Sequence, residues 1–408
     1  MRTRKALVES FIDRYKKSSK KAKGKLLNAF TEATGLDRCY ARRILRTGHK
    51  KKNQLGGPSN LPIIGRGRKK VYTLDVLAAL KKIWHIMRFA CGKRLIPAIS
   101  EMIRVLEKFK EIHFSDEIKK KLTAMSPSTA DRLLKPERKK FQLKGFSGTR
   151  PGSLLKHKIP VRTFADWKNV QPGFFQIDLV SHEGGNASGD FCQTLDITDV
   201  ATGWTEPHGI QNKARVWVVE ALDNIRKRLP FPMLGVNSDS GSEFLNAHLL
   251  HYCQKNNILF THGRSGKKND NCYIEQKNYV AVRELVGYYR YDTARELDLL
   301  NKLYLLYRLY ANFFQPQMKL LEKVRVGSKV SKKYDAPLTP YARSLASVHV
   351  FDVVKEKLKN LYGTLNPAKL LRDMILLQDA LQKCATLKDD LRRSKSPTKE
   401  EQVYAQAS

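Results

Sequence analysis

The stretch Gly173-Phe-Phe-Gln-Ile-Asp178-Leu-Val-Ser181 decides how the rest of the chain is read. It is a short, mostly apolar strand with one carboxylate at its centre. A buried carboxylate is costly unless it is paired or bound to a metal. Asp178 therefore needs a reason to be there, and two later segments supply one. Asn237-Ser-Asp239-Ser-Gly-Ser-Glu243-Phe244 ends a second strand with an aspartate and then turns on Gly241. Asn269-Asp-Asn-Cys-Tyr-Ile-Glu275-Gln-Lys-Asn278 opens a helix with a glutamate one turn in, and 35 residues separate Asp239 from Glu275. Asp178, Asp239 and Glu275 are read as a trio holding two divalent metal ions. Three unrelated carboxylates are the competing reading, and spacing alone leaves both open.

Outward from Asp178 the pattern predicts a sheet. Phe174 to Val180 is a strand, Glu183 to Gly189 a turn, Phe191 to Val200 a second strand and Gly203 to Ile210 a third. Lys213 to Leu229 is a helix, with Val216, Val219, Leu222 and Ile225 on one face. A buried strand from Met233 to Val236 leads to Asp239. Then come a helix from Glu243 to Asn256, a strand from Ile258 to Thr261 and a long helix from Asp270 to Val286. The order β-β-β-α-β-α-β-α predicts a mixed sheet with helices on its faces, its first three strands pairing as a meander.

Other acids compete for the site. The first turn centres near Ala187, so Asp196 should lie across the hairpin from Asp178, as a further ligand or, preferably, as a hydrogen-bonded sheet residue. Asp190 and Asp199 sit near the ends of that strand. Glu243 begins a helix, where an acid favours the dipole, and Asp270 and Asn271 read as caps. His248 and His251 are one helical turn apart, but Cys253 points elsewhere, so zinc is not expected there.

Two-metal chemistry needs hard oxygen ligands that clamp two ions ~3.5–4 Å apart. Asp178, on a rigid strand, suits the ligand shared by both ions. Asp239 sits where a sheet edge opens, and Glu275 points from a helix into the same cleft. One ion then activates a nucleophile and the other stabilises the leaving oxygen of a phosphodiester.

The composition agrees with a polyanionic partner. The 408 residues carry 76 basic against 39 acidic side chains, a net charge of +37. Each phosphate contact made by such a chain releases counterions. A membrane surface is the other candidate, but no run approaches the ~18–20 apolar residues of a span, and Met1 to Glu9 lacks the apolar run of a signal peptide. The six cysteines (Cys39, Cys91, Cys192, Cys253, Cys272 and Cys384) are scattered without a Cys-x-x-Cys pair. Reduced thiols in a cytoplasmic, nucleoid-associated protein without a zinc finger are expected. The length predicts two to four domains.

Before the sheet, two basic helical units are predicted. In residues 1–62, Leu26, Leu27 and Phe30 form a helical face that Gly35 breaks, and Asp37 can cap a second helix, Arg38 to Arg46. This is a helix-turn-helix pattern whose second helix carries Arg38, Arg42, Arg43 and Arg46 for DNA contact. An ordinary helical hairpin with a solvated basic face is the alternative. A linker from Lys50 to Pro62 leads into the basic Arg66 to Lys70. Residues 63–138 read as four helices: Tyr72 to Phe89, Leu95 to Phe109, one capped by Ser115 that runs through Met125, and a short one begun by Ser126-Pro127. The last would present Arg132 and Lys135 to DNA; a small bundle that only spaces domains is the alternative. Residues 139–170 read as a basic, extended connector, and 171–292 as the catalytic core. Residues 293–345 read as a helix, Leu297 to Phe313, plus a basic extended segment, and 346–408 as a helical tail with a polar end.

With these residues in view, the chain resembles the DDE transposase and retroviral-type integrase superfamily. Phe175-Gln-Ile-Asp178, Ser238-Asp239-Ser-Gly-Ser-Glu-Phe244 and Lys268-Asn-Asp-Asn-Cys-Tyr-Ile-Glu275-Gln-Lys-Asn278 carry the resemblance, over roughly residues 165–290. Val286-Gly-Tyr-Tyr-Arg-Tyr291 and Asn312-Phe-Phe-Gln-Pro-Gln-Met-Lys319 are similar to the bacterial insertion-sequence branch. The resemblance implies a multidomain α+β chain with a ribonuclease H-like core. It implies two Mg2+ or Mn2+ ions, Asp178, Asp239 and Glu275 as catalytic ligands, and a homo-multimer acting on double-stranded element ends and target DNA. Arg264, Lys267 and Lys268, ahead of the Glu275 helix, and Lys277 on it are candidates for holding the DNA end. Ser240 stands where related motifs often have Asn, and the paired His and paired Cys of the retroviral zinc-binding domain are absent. A transposase is the expectation; a nuclease on the same fold and a non-catalytic DNA-binding descendant are the rivals.

Overall fold

The computed structural model describes residues 2–47, 71–138, 170–239, 244–263, 274 and 277–394. The linker after residue 47, the Arg66 to Lys70 stretch, the connector from Lys139 to Asn169 and the polar end after Ser394 lie outside them. The chain forms two compact units, Met1–Lys69 and Lys70–Ser408.

The first unit is a three-helix cluster: α1 (Arg2–Lys17), α2 (Lys20–Thr34) and α3 (Arg38–Thr47). The α2–α3 pair has the expected stops and starts. Gly35 takes a left-handed φ of 65° and its N–H closes on the Thr31 carbonyl at 2.8 Å, a conformation that costs glycine nothing. The Asp37 Oδ1 accepts the Cys39 and Tyr40 amides at 2.9 and 3.1 Å, capping α3. The first helix was not expected, although Val8, Phe11, Ile12 and Tyr15 recur at helical spacing. Val8 and Tyr15 are buried with Leu27, Phe30, Ala41, Ile44 and Leu45.

The second unit opens with α4 (Leu74–Ile86), α5 (Gly92–Lys108), α6 (Asp116–Thr123) and α7 (Pro127–Arg138). Ser115 Oγ accepts the Ile118 amide and Ser126 Oγ the Thr129 amide, so both expected caps form. A Cβ on Gly92 would sit 2.1 Å from the Pro127 carbonyl oxygen. The start of α5 can therefore press on the start of α7 only as glycine, and there the Gly92 N–H reaches Asp131.

A five-stranded sheet follows: β1 (Phe174–Ser181), β2 (Gln193–Asp199), β3 (Thr205–Ile210), β4 (Gly235–Ser238) and β5 (Leu259–His262). Helices α8 (Arg215–Arg226) and α9 (Ala247–Lys255) alternate with its later strands. The order across the sheet is β3-β2-β1-β4-β5. The pairs β1–β2 and β2–β3 are antiparallel, and β1–β4 and β4–β5 are parallel. This mixed α+β arrangement is consistent with the ribonuclease H-like core expected from the sequence. Asp199 is a locking residue at the β2–β3 turn. Its carboxylate accepts the Gly173 amide at 2.8 Å and the Thr202 amide and hydroxyl at 2.7 and 2.6 Å.

After β5 comes α10, π-helical over Asn278–Arg283 and continuing as Glu284–Val286. It packs on β1 and β2. A capping box at Thr293 and Glu296 starts α11 (Ala294–Phe314), which lies against β3 and buries Tyr304, Tyr307 and Tyr310. The basic extended segment is a hairpin of β6 (Leu320–Val326) and β7 (Lys329–Tyr334). The tail is three helices, α12 (Pro340–Ala346), α13 (Asp352–Thr364) and α14 (Pro367–Ser394). The last of these is no loose end, for it packs along α11 and its Gln378 donates to the Leu285 carbonyl. No helix among the described residues is long and apolar enough to cross a membrane.

Candidate active site

The sheet changes direction at β1. The chain runs from β1 outward through β2 and β3, then crosses back to place β4 on the other side of β1. The carboxyl ends of the parallel strands on either side of such a switch point are where open sheets bind ligands. Asp178 stands on β1 and is half-buried. The β1–β4 register pairs Gln176 with Asn237. Asp178 lies two residues further along β1, and Asp239 two residues past Asn237, just beyond the end of β4. Asp239 is exposed, which gives the pair an open side.

The segment around Glu275 is tied to the same strand. Ile274 N donates to Gln176 Oε1 at 3.2 Å, and Asn278 Nδ2 donates to Asp178 Oδ2 at 2.5 Å. Gln176 and Asp178 are two residues apart and share a face of the sheet. Glu275 itself lies outside the described residues, as do Arg264, Lys267, Lys268, Glu243, Asp270 and Asn271. Among the described residues no three His, Cys, Asp or Glu side chains converge on a metal position. His248, His251 and Cys253 accordingly form no such cluster; Cys253 is buried, and burial pushes its thiol up to about 12.

Asp196 is Asp178's direct partner across the antiparallel pair, as the turn position implied. Its side chain is fully buried, no described side chain donates to its carboxylate, and the Ile197 amide is the donor that acts on it. Burial, reinforced by the neighbouring Asp178 and opposed by Lys277, pushes its pKa up to about 8. Lys277, expected to hold DNA, is half-buried and feels the Asp196 carboxylate. Burial pulls its ammonium down to about 7, against the attraction of Asp196. The Asn278 Oδ1 is also buried and without a partner.

The expected DNA contacts in the two helical units divide cleanly from the core. On α3, Arg38, Arg42, Arg43 and Arg46 are exposed while Ala41, Ile44 and Leu45 face inward. Arg38 bonds Asn28, and the Arg43 guanidinium lies 5.0 Å from the Tyr40 ring centre. On α7, Arg132 and Lys135 are exposed opposite buried Ala130 and Leu134. Sequence reasoning passed over Gln176 and Asn278. The two-residue period placed Gln176 on the face of Asp178, and Asn278 is one helical turn past Glu275, so both signals were present.

A curated relative matches at 38% identity over 345 residues, covering 84% of this chain and 95% of its own length: the uncharacterized protein y4rM of Sinorhizobium fredii (strain NBRC 101917 / NGR234). The chain belongs to the y4rM family. No family model matches it. Among solved structures, a chain from the cryoEM structure of a simian T-cell lymphotropic virus intasome in complex with PP2A regulatory subunit B56 gamma aligns at 15% identity. That alignment covers 55% of this chain and 70% of the other with a TM-score of 0.29, too low to weigh on fold or function. For this y4rM-family protein the chemistry has to be argued from the site.

Proposed function

We propose that this y4rM-family protein is an integrase-type DNA transposase. In this reading it cuts the ends of an insertion element and joins the freed 3′-hydroxyl to target DNA, working as a homo-multimer on paired ends. The observation that carries the reading is the register of β1 against β4. It supports Asp239 pairing with Asp178 at the switch point of the sheet, and the bonds of Ile274 and Asn278 to β1 support Glu275 joining them.

The donor set fits hard divalent cations. Asp178 and Asp239 offer carboxylates on one open edge, Glu275 would add a third, and the orphaned Asn278 Oδ1 adds an unused oxygen beside Asp178. Mg2+ or Mn2+ held there would supply an activated nucleophile and charge stabilisation at the leaving oxygen. Asn278 holds one oxygen of Asp178, and the Leu179 amide fixes the other at 2.8 Å. Asp178 is thus oriented before any ion arrives. The net charge of +37 and the exposed arginines of α3 supply the attraction for the DNA backbone.

The test uses purified protein, duplexes from the DNA flanking its reading frame, and Mg2+ or Mn2+. Wild type should release 3′-hydroxyl ends and give joined products; Asp178→Asn, Asp239→Asn and Glu275→Gln should do neither while still binding DNA. Cleaved ends without joining would make it a nuclease. Binding without nicking in any metal would make it a non-catalytic DNA-binding protein, and either result overturns the proposal.

A further inference from the structure

The hairpin of β6 and β7 takes no part in the site at Asp178, and its construction is unusual. Every described residue from Leu321 to Tyr334 is exposed, so neither face of the ribbon is covered. A two-stranded ribbon alone in water is marginal at best, yet this one is firmly rooted. At its base Asp335 accepts the Lys319 amide at 2.6 Å and pairs with Arg343 at 2.7 Å, and Gln317 and Leu338 exchange backbone bonds at 2.9 and 3.1 Å. Lys319 Nζ donates to the Ala201 carbonyl at 2.8 Å, which fixes the base to the β2–β3 turn. Phe175 pairs with Asp199, so that turn lies at the end of the sheet away from Ser181. Beyond the base the charge is one-sided. Residues 320–334 hold five basic residues, Lys323, Arg325, Lys329, Lys332 and Lys333, against the single acid Glu322. The register sets Lys323 directly opposite Lys332, and two positions along, on the same face, Arg325 opposite Val330. Like charges in directly opposed positions are destabilising. An anion lying over that face removes the penalty, whereas a second copy of the ribbon would add to it. The strands, of seven and six residues, span ~20 Å, and a two-stranded ribbon is of a size that the major groove of DNA admits.

We infer that the β6–β7 ribbon binds duplex DNA through its phosphates, as a contact additional to any made at Asp178. The inference rests on the reading above only in taking DNA as the substrate; it needs no metal. It gives the opposed lysines a counter-charge and the uncovered ribbon a partner.

The test is binding of the full-length protein to labelled duplexes of unrelated sequence, in EDTA and over a series of salt concentrations, read by fluorescence anisotropy. Lys323→Gln with Lys332→Gln should weaken binding by about tenfold or more at ~0.1 M salt, equally on every duplex, and flatten the salt dependence by about 0.9 in slope per lost contact. Lys357→Gln with Lys369→Gln removes the same charge from exposed positions on α13 and α14 and should change neither. Three results would overturn the inference. One is an unchanged slope in the ribbon variant. The second is an equal loss in the α13–α14 variant, which would make the effect one of net charge. The third is a smaller assembly in sedimentation with DNA binding intact, which would make the ribbon a contact between copies. Wild type that binds no duplex would remove the DNA reading itself; a ribbon variant that binds like wild type removes only the ribbon's part in it.

Discussion

Replacing Glu206 by Gln should loosen the platform on which the site is built. Glu206, on β3, is fully buried. Its carboxylate accepts Arg228 Nε at 2.8 Å, Arg308 Nε at 2.6 and 2.7 Å, and Trp204 Nε1 at 2.8 Å. Arg308 comes from α11 and Arg228 from just beyond α8, so one carboxylate ties the outer strand to two helical segments. The amide keeps the volume but leaves two guanidinium groups without a counter-charge. Breaking a buried pair from one side costs about 3–5 kcal/mol. The arginine side chains keep 20% and 15% exposure, so the lower end, about 3 kcal/mol, applies. Over a unit of roughly 340 residues, at about 2.1 cal/mol/K of unfolding entropy per residue, this lowers the melting temperature by ~4 °C. Urea denaturation followed by tryptophan fluorescence is the assay, and buried Trp204 sits beside the lost charge. The midpoint should fall with the slope unchanged. Adding Arg308→Met to Glu206→Gln should recover part of the loss, because it removes one of the orphaned charges. A Glu206→Gln protein within about 0.5 kcal/mol of wild type would refute the reasoning.

Three further outcomes are expected. His182 is buried with Nε2 2.7 Å from Thr194 Oγ1, and burial, with Arg283 second, pulls its pKa down to about 3. The unfolded chain takes up a proton below about pH 6.5 that the folded chain refuses. The His182 share of the stability is therefore full above that pH and falls by about 2 kcal/mol between pH 7 and 5. Urea titrations of wild type and His182→Gln at both values check this: the stability difference between the two should shift by about 2 kcal/mol in favour of the variant at pH 5. Arg42→Ala with Arg46→Ala, both exposed on α3, should flatten the salt dependence of DNA binding by about 0.9 in slope per lost phosphate contact. An unchanged slope would place the contacts elsewhere. Gln176→Ala removes the acceptor for the Ile274 amide. It should cost about 1–2 kcal/mol in urea denaturation and weaken Mn2+ binding in the same preparation.

Much of this was legible in the residues because it is local. Ser115, Ser126 and Asp37 announce helix starts through side chains that reach amides two or three positions away. Gly35 announces a stop through its left-handed φ. The Asp178–Asp196 register followed from where the intervening turn is centred. The α1 helix was missed because its stripe of Val8, Phe11, Ile12 and Tyr15 is diluted by charges, and only packing against α2 and α3 gives it a partner.

The sequence by itself determined most of the strands and helices, that Asp178 falls within a strand and Asp239 just past the end of another, and that the chain around them is strongly cationic. Only the tertiary structure decided that β4 lies against β1, that Asp196 ends up fully buried opposite Asp178, and that Asn278 holds Asp178. Period and capping are written within a few positions of the chain. The surroundings of a carboxylate are supplied by groups such as Asn278, 100 residues from the Asp178 it holds, and those arrive only when the whole core closes.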